Sequence, residues 1–152
     1  MLIEHVLNTK GTAVRTIPPT ASVAEATAEL GRHNVGALVV SDDGTTIAGI
    51  VSERDIVRAL AATGSSVLRV PVSDLMTAEV TTCGPRATVD DLMRTMTDHR
   101  IRHVPVVDGG AMVGIVSIGD IVKSRIDELQ VETDTLHGYL ASGGGAVASG
   151  HA

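Results

Sequence analysis

The sequence predicts an α/β (α+β) protein made of two copies of one small unit, on three observations. The segment Gly49-Ile50-Val51-Ser52-Glu53-Arg54-Asp55-Ile56-Val57 returns 65 residues later as Gly114-Ile115-Val116-Ser117-Ile118-Gly119-Asp120-Ile121-Val122. The residues ahead of each copy also match, Thr20-Ala21-Ser22-Val23 and Gly36-Ala37-Leu38-Val39-Val40 answering to Arg86-Ala87-Thr88-Val89 and His103-Val104-Pro105-Val106-Val107. Each half then carries the same order of patterns: a short extended lead-in, helix, strand, strand, helix. A repeat of this period is one supersecondary unit used twice, which directs attention to clefts between related halves.

In the first half, Ser22 followed by Glu25 is a capping-box signal, and Val23, Ala26, Thr27 and Leu30 recur at helical spacing. Residues 37–40 and 47–51 are apolar runs either side of an Asp/Gly turn. Their unbroken apolarity predicts strands covered on both faces by helices. Ser52 ends the second strand, Asp55 falls at N3 of the next helix, and Ile56, Val57 and Leu60 carry that helix forward. Gly64-Ser65-Ser66 breaks the unit, and residues 72–76 predict a short lead-in helix matching residues 5–7. The second half repeats the plan: Thr88 with Asp91, a helix through Val89, Leu92, Met93 and Met96, strands at 104–107 and 112–116, then Ser117 with Asp120. The last helix runs on with Ile126, Leu129, Thr133, Leu136 and Leu140 as a stripe, either covering a partner subunit or packing back on its own chain. The resulting division is unit 1 at 1–65, a linker at 66–71, unit 2 at 72–129, a helical extension at 130–141 and a disordered tail at 142–152.

Composition narrows the function. Hydrophobic residues make up 43% of 152, yet Trp and Phe are absent and Tyr139 is the only aromatic, so Val, Leu, Ile, Ala and Met must fill the core. A bound ring would be held by aliphatic walls and backbone, without the aromatic platform of single-strand binders. The net charge of −6 disfavours DNA and RNA while permitting a local phosphate site. The lone Cys83 excludes an internal disulfide and fits a reducing compartment. No apolar segment suggests a signal peptide or membrane span, so no membrane association and a cytoplasmic location are the expectation. The histidines show no metal-ligand spacing and no Walker-type loop occurs, which argues against an enzyme, a metal site or a catalytic cofactor.

Taken together, the two helix-start motifs with Asp74-Leu75-Met76-Thr77 and His103-Val104-Pro105-Val106-Val107-Asp108 resemble a tandem pair of CBS domains, the cystathionine beta-synthase domain family, over about residues 3–129. The resemblance implies β-α-β-β-α units related by approximate twofold symmetry, a Bateman module, and modules that pair as homodimers. It also implies a sensor that binds an adenosyl compound between the units: AMP, ADP, ATP, S-adenosylmethionine or NAD. With no effector domain on the chain, the output would pass to an unidentified effector protein. The alternative is a structural dimer with vestigial clefts.

On that resemblance Asp55 and Asp120 contact ribose hydroxyls, with Ser52 and Ser117 at the ribose-phosphate end. The chemistry is apt, since a carboxylate accepts from both hydroxyls of a diol and a helix start offers N–H groups to phosphate. Spacing alone equally allows Asp55 and Asp120 to be helix caps. Arg54, Arg100, Arg102 and His103 are candidates for neutralising phosphate, with Pro105 beside them in the strand. The lead-ins Thr16-Ile17-Pro18 and Thr82-Cys83-Gly84 are candidates for meeting adenine, and Gly49 and Gly114 for close approach of ligand. Ile118-Gly119 replaces Glu53-Arg54, so the two clefts are expected to differ; Ile118 packs either on adenine or on the other unit.

Overall fold

The computed structural model describes residues 1–140; the tail expected at 142–152 lies outside the described residues. In chain order the elements are α1 (Ile3–Lys10), β1 (Thr16–Ile17), α2 (Val23–His33), β2 (Ala37–Val40), β3 (Gly49–Ser52), α3 (Glu53–Thr63), α4 (Val89–His99), β4 (His103–Asp108), β5 (Ala111–Ser117) and α5 (Ile118–Tyr139). Two 3₁₀ turns, Ser65–Arg69 and Val72–Asp74, occupy the stretch between α3 and α4.

The first sheet has the order β1-β2-β3, β1 parallel to β2 and β2 antiparallel to β3 with Ala37 opposite Ser52. The second pairs β4 with β5 antiparallel, His103 opposite Ser117. Its lead-in strand is reduced to a bridge: the Cys83 N–H donates to Pro105 O at 3.1 Å and the Val107 N–H to Cys83 O at 2.8 Å. Both halves are therefore β-α-β-β-α units, followed by the long α5.

Local chemistry explains the helix starts. Ser52 and Asp55, and likewise Ser117 and Asp120, form reciprocal capping boxes in which the hydroxyl accepts from the N3 amide and the carboxylate accepts from the N-cap amide. Ser22 and Thr88 cap α2 and α4 by accepting the N–H of Glu25 and Asp91. Satisfying otherwise orphaned N–H groups in this way contributes about 1 kcal/mol per cap.

Packing crosses the order of the chain. The first core joins Val23, Leu30, Leu38, Val40, Val51 and Ile56 to Val72, with Leu68, Val70, Leu75 and Met76 against it. The second joins their repeat counterparts Val89, Met96, Val104, Val106, Val116 and Ile121 to Ile3, Val6 and Leu7 of α1. Thus α1, at the head of the first half, completes the second core, while the connecting stretch 67–76 completes the first. Backbone bonds follow the same exchange: Ile3 N–H donates to Ala87 O and Val72 N–H to Ala21 O, both at 2.8 Å.

Candidate functional site

The repeated Ser-x-x-Asp motifs stand at the starts of α3 and α5. At the first, Ser52 N–H and Oγ–H donate to Asp55 Oδ2 at 2.9 and 3.0 Å. Asp55 also lines a cavity of about 290 Å³ formed by both units. Its walls are Gly36 and Ala37, the start of α3 with Glu53, Arg54 and Arg58, the segment Thr77 to Thr81, and residues 99–103 entering β4. Four arginines, Arg54, Arg58, Arg100 and Arg102, meet three carboxylates, Glu53, Asp55 and Glu79, around one space.

Arg100 is held there by the end of α4. It closes the helix in the left-handed region at φ 55°, as Asn34 closes α2 at φ 52°. Glycine or asparagine is the usual residue at such a cap. The Arg100 carbonyl accepts from Arg54 Nη1 at 3.3 Å, tying the cap of one unit to the helix start of the other. Next to it, Ile118 N–H donates to Arg102 O at 2.8 Å, repeating the bond from Glu53 N–H to Gly36 O at 3.0 Å. The His103 ring lies against Gly36, and burial pushes its pKa below the ordinary histidine value although Glu53 and Asp120 pull it upward.

The start of α5 is built differently. Asp120 Oδ2 accepts from the Ser117 N–H at 2.9 Å and from Lys10 Nζ at 2.6 Å, and Lys10 Nζ also donates to Ile115 O at 2.8 Å. Burial raises the Asp120 pKa, but the bonds from Lys10 and Ser117 outweigh it and hold the carboxyl below the usual range.

Ser52, Arg54, Asp55, Arg102 and His103 thus meet in one cavity. Ser117 and Asp120 stand at the equivalent start of α5, and Ile118 beside them is exposed. The lead-in residues stand elsewhere. Ile17 is buried in the first core and Thr16 lies with it on a separate depression that also holds Glu25 and Glu29. Thr82 is exposed, Cys83 packs against the second core, and Pro105 is buried opposite Ile115. Burial also pushes the Cys83 thiol pKa up, away from reactivity. The lead-in wall of the cavity comes instead from Thr77, Glu79, Val80 and Thr81, just ahead of Thr82. Gly49 and Gly114 serve packing rather than ligand approach, since a Cβ on either would collide with Met76 or Leu7. Arg58, Glu79 and Lys10 escape sequence reasoning. The register of the repeat offered one hint, because Arg58 faces Lys123 in alignment and both are basic.

Among the described residues no three His, Cys, Asp or Glu side chains are grouped to hold a metal ion, and no helix is long and apolar enough to cross a membrane.

Comparison with known proteins agrees with this architecture. A mitochondrial CBS domain-containing protein of Arabidopsis thaliana, CBSX3, is 40% identical over 126 residues, 80% of this chain; the chain spans 61% of that protein's length. The crystal structure of the CBS-domain containing protein ATU1752 from Agrobacterium tumefaciens superposes with a TM-score of 0.80 at 43% identity, covering 82% of this chain and 99% of that one. The CBS domain protein PAE2072 from Pyrobaculum aerophilum, complexed with AMP, gives 0.73 at 30% identity over 88% and 99% of the two chains. The CBS domain family model itself matches twice, at residues 7–62 and 72–127. Two matched copies, the two β-α-β-β-α units and the likeness to solved members lead to one conclusion: the chain belongs to the CBS domain family, as a tandem pair.

Proposed function

We propose that the chain is a non-catalytic regulatory module that senses an adenosyl nucleotide of the AMP, ADP or ATP class, held in the Asp55 cleft. The observation that carries this reading is the meeting of the Asp55 carboxylate with four arginines around one inter-unit cavity of about 290 Å³. That size is near the lower end of small-molecule pockets, about 300–1,000 Å³. Asp55 orients the ribose, Ser52 and the α3 N-terminus face the ribose-phosphate end, and the arginines neutralise phosphate oxygens. The cap and ligand roles of Asp55 are compatible because both cap bonds converge on Oδ2.

The AMP complex of the Pyrobaculum protein supports an adenosyl ligand, as does a solved CBS domain pair of protein MJ0100 in complex with 5′-methylthioadenosine and S-adenosyl-L-methionine. The arginines favour a phosphate-bearing ligand over the cationic sulfonium of S-adenosylmethionine, and NAD is the more distant choice. A ligand gripped by both units regulates only if it prefers one of their arrangements, and the output then passes to an effector protein.

The half-exposed apolar stripe of Val122, Ile126, Leu129 and Leu136 along α5 supports association with a second copy. It also favours the second reading, a structural dimer with vestigial clefts. Calorimetry on the nucleotide-stripped full chain against AMP, ADP, ATP, S-adenosylmethionine and NAD separates the two. Saturable binding of an adenine nucleotide, weakened about 10- to 100-fold by Asp55→Ala, is expected. No heat with any ligand, in folded protein that sediments as a dimer, would replace the sensor by the structural reading.

A further inference from the structure

The two clefts differ in one contact that spans the whole repeat. In the first half the carbonyl of Ile50 accepts from the backbone N–H of Thr77 at 2.9 Å. Its repeat counterpart, Ile115 O, accepts from Lys10 Nζ at 2.8 Å. The cause is helix length. The lead-in turn of the second half stops at Asp74, so the chain straightens and Thr77 pairs with Ile50 as a β-bridge. In the first half α1 continues to Lys10, and a side chain replaces the missing amide. That ammonium also reaches Asp120 at 2.6 Å, the position equivalent to Asp55.

The surrounding charges accentuate the difference. Leu7 faces Gly114 as Met76 faces Gly49, and in this register Lys10 answers to Glu79. Strand pairing sets Ala37 against Ser52 as His103 against Ser117, one residue off the alignment read from sequence, and in that register the second cleft has Gly119, Asn34 and Gly36 at the positions of Arg54, Arg100 and Arg102. Its basic groups by alignment are Lys10, Lys123 and Arg15, the last two answering to Arg58 and Thr81, together with Arg102 and His103 at the places of Gly36 and Ala37. The second cleft thus arranges its basic groups differently, and its carboxylate already has a cation.

We propose that Lys10 is a tethered occupant of the second cleft: by pairing with Asp120 and Ile115 O it withholds the diol-binding carboxylate, so that the module takes one adenosyl nucleotide, in the Asp55 cleft. This deepens the proposed function and rests on it. The lock is intramolecular, so a ligand must displace an ammonium that is already positioned, whereas Asp55 is capped by Ser52 and forms no ion pair among the described residues. Neutralising Lys10 while keeping its apolar stem exposes Asp120 to a ribose.

The test is calorimetric titration of AMP, with ADP and ATP in parallel, into the stripped full chain, comparing wild type, Lys10→Met, Lys10→Met/Asp120→Ala and Asp55→Ala. One AMP per chain is expected for wild type, lost or weakened about 10- to 100-fold in Asp55→Ala. Two per chain are expected for Lys10→Met, the added site vanishing in Lys10→Met/Asp120→Ala. Two equal sites in wild type, or one unchanged site in Lys10→Met, would overturn the lock while leaving the sensor reading in place. Weaker binding in Lys10→Met would overturn it too, by making Lys10 a ligand contact. No uptake of AMP, ADP or ATP by any of these folded proteins would overturn the sensor reading and the lock with it. The carbon-13 shift of the Asp120 carboxyl gives a ligand-free check: Lys10→Met should raise its titration midpoint, and an unmoved midpoint would reject the ion pair as a determinant.

Discussion

A Cβ placed on Gly49 would stand 2.5 Å from Met76 Sδ and 2.9 Å from the Thr77 carbonyl oxygen. At Gly114 the nearest atoms are the two Cδ atoms of Leu7, at 2.7 and 3.0 Å. The first obstacle includes backbone engaged with Ile50, whereas the second is the far end of a flexible side chain. Gly49→Ala is therefore expected to destabilise by about 2 kcal/mol, and Gly114→Ala by clearly less. Urea midpoints of the two variants measure this, and equal losses would reject the distinction.

Arg100 holds a backbone conformation that suits glycine, at a position on the cavity wall. Replacing it by glycine relieves steric crowding worth about 1 kcal/mol, partly offset by the greater freedom of an unfolded glycine. Arg100→Gly should accordingly melt no lower than wild type while binding AMP more weakly. A variant that loses stability and keeps full affinity would show the arginine to be structural.

His103 links proton uptake to folding. Burial depresses its pKa against the pull of Glu53 and Asp120, with Lys10 and Arg102 adding to the depression. Below the ordinary value of about 6.5 the unfolded chain then binds more protons than the native one. The contribution of the neutral ring is present above that pH and is lost as pH falls through the depressed native pKa. His103→Gln should flatten the decline in stability as pH falls below about 6.5. Denaturation curves below that pH with identical slopes for both proteins would dismiss the coupling.

How much of this could be read beforehand depended on whether the signal was local. Ser52 with Asp55 and Ser117 with Asp120 are three-residue patterns, and both form the capping boxes their spacing implied. Apolar runs such as Leu38 to Val40 announced strands buried on both faces, because such burial needs no distant information. The lead-ins gave no comparable signal: Thr16–Ile17 is two residues long, too short for a periodicity, and its register relative to the cavity depends on the sheet. Lys10 was harder still. Its partner Asp120 lies 110 residues away, and only the unequal lengths of the two lead-in helices bring the ammonium to it. Gly49 and Gly114 suggest ligand approach in the sequence and meet Met76 and Leu7 in the fold, since which surface faces a strand glycine is decided by packing that a linear pattern does not contain.

The exchange of segments between the two cores sets an order of events during synthesis. Ile3, Val6 and Leu7 are made well before the helix and strands they pack against, which begin at Val89. The first core can close as soon as Val72 to Met76 emerge, while α1 must trail as an unsatisfied apolar segment until most of the chain has been made. Closing so long a loop adds little entropy per residue but delays the reward. A ribosome stalled between the two halves would thus present a finished first unit carrying a sticky leading helix, a species for which chaperone capture or premature pairing with a neighbouring chain is the natural hazard.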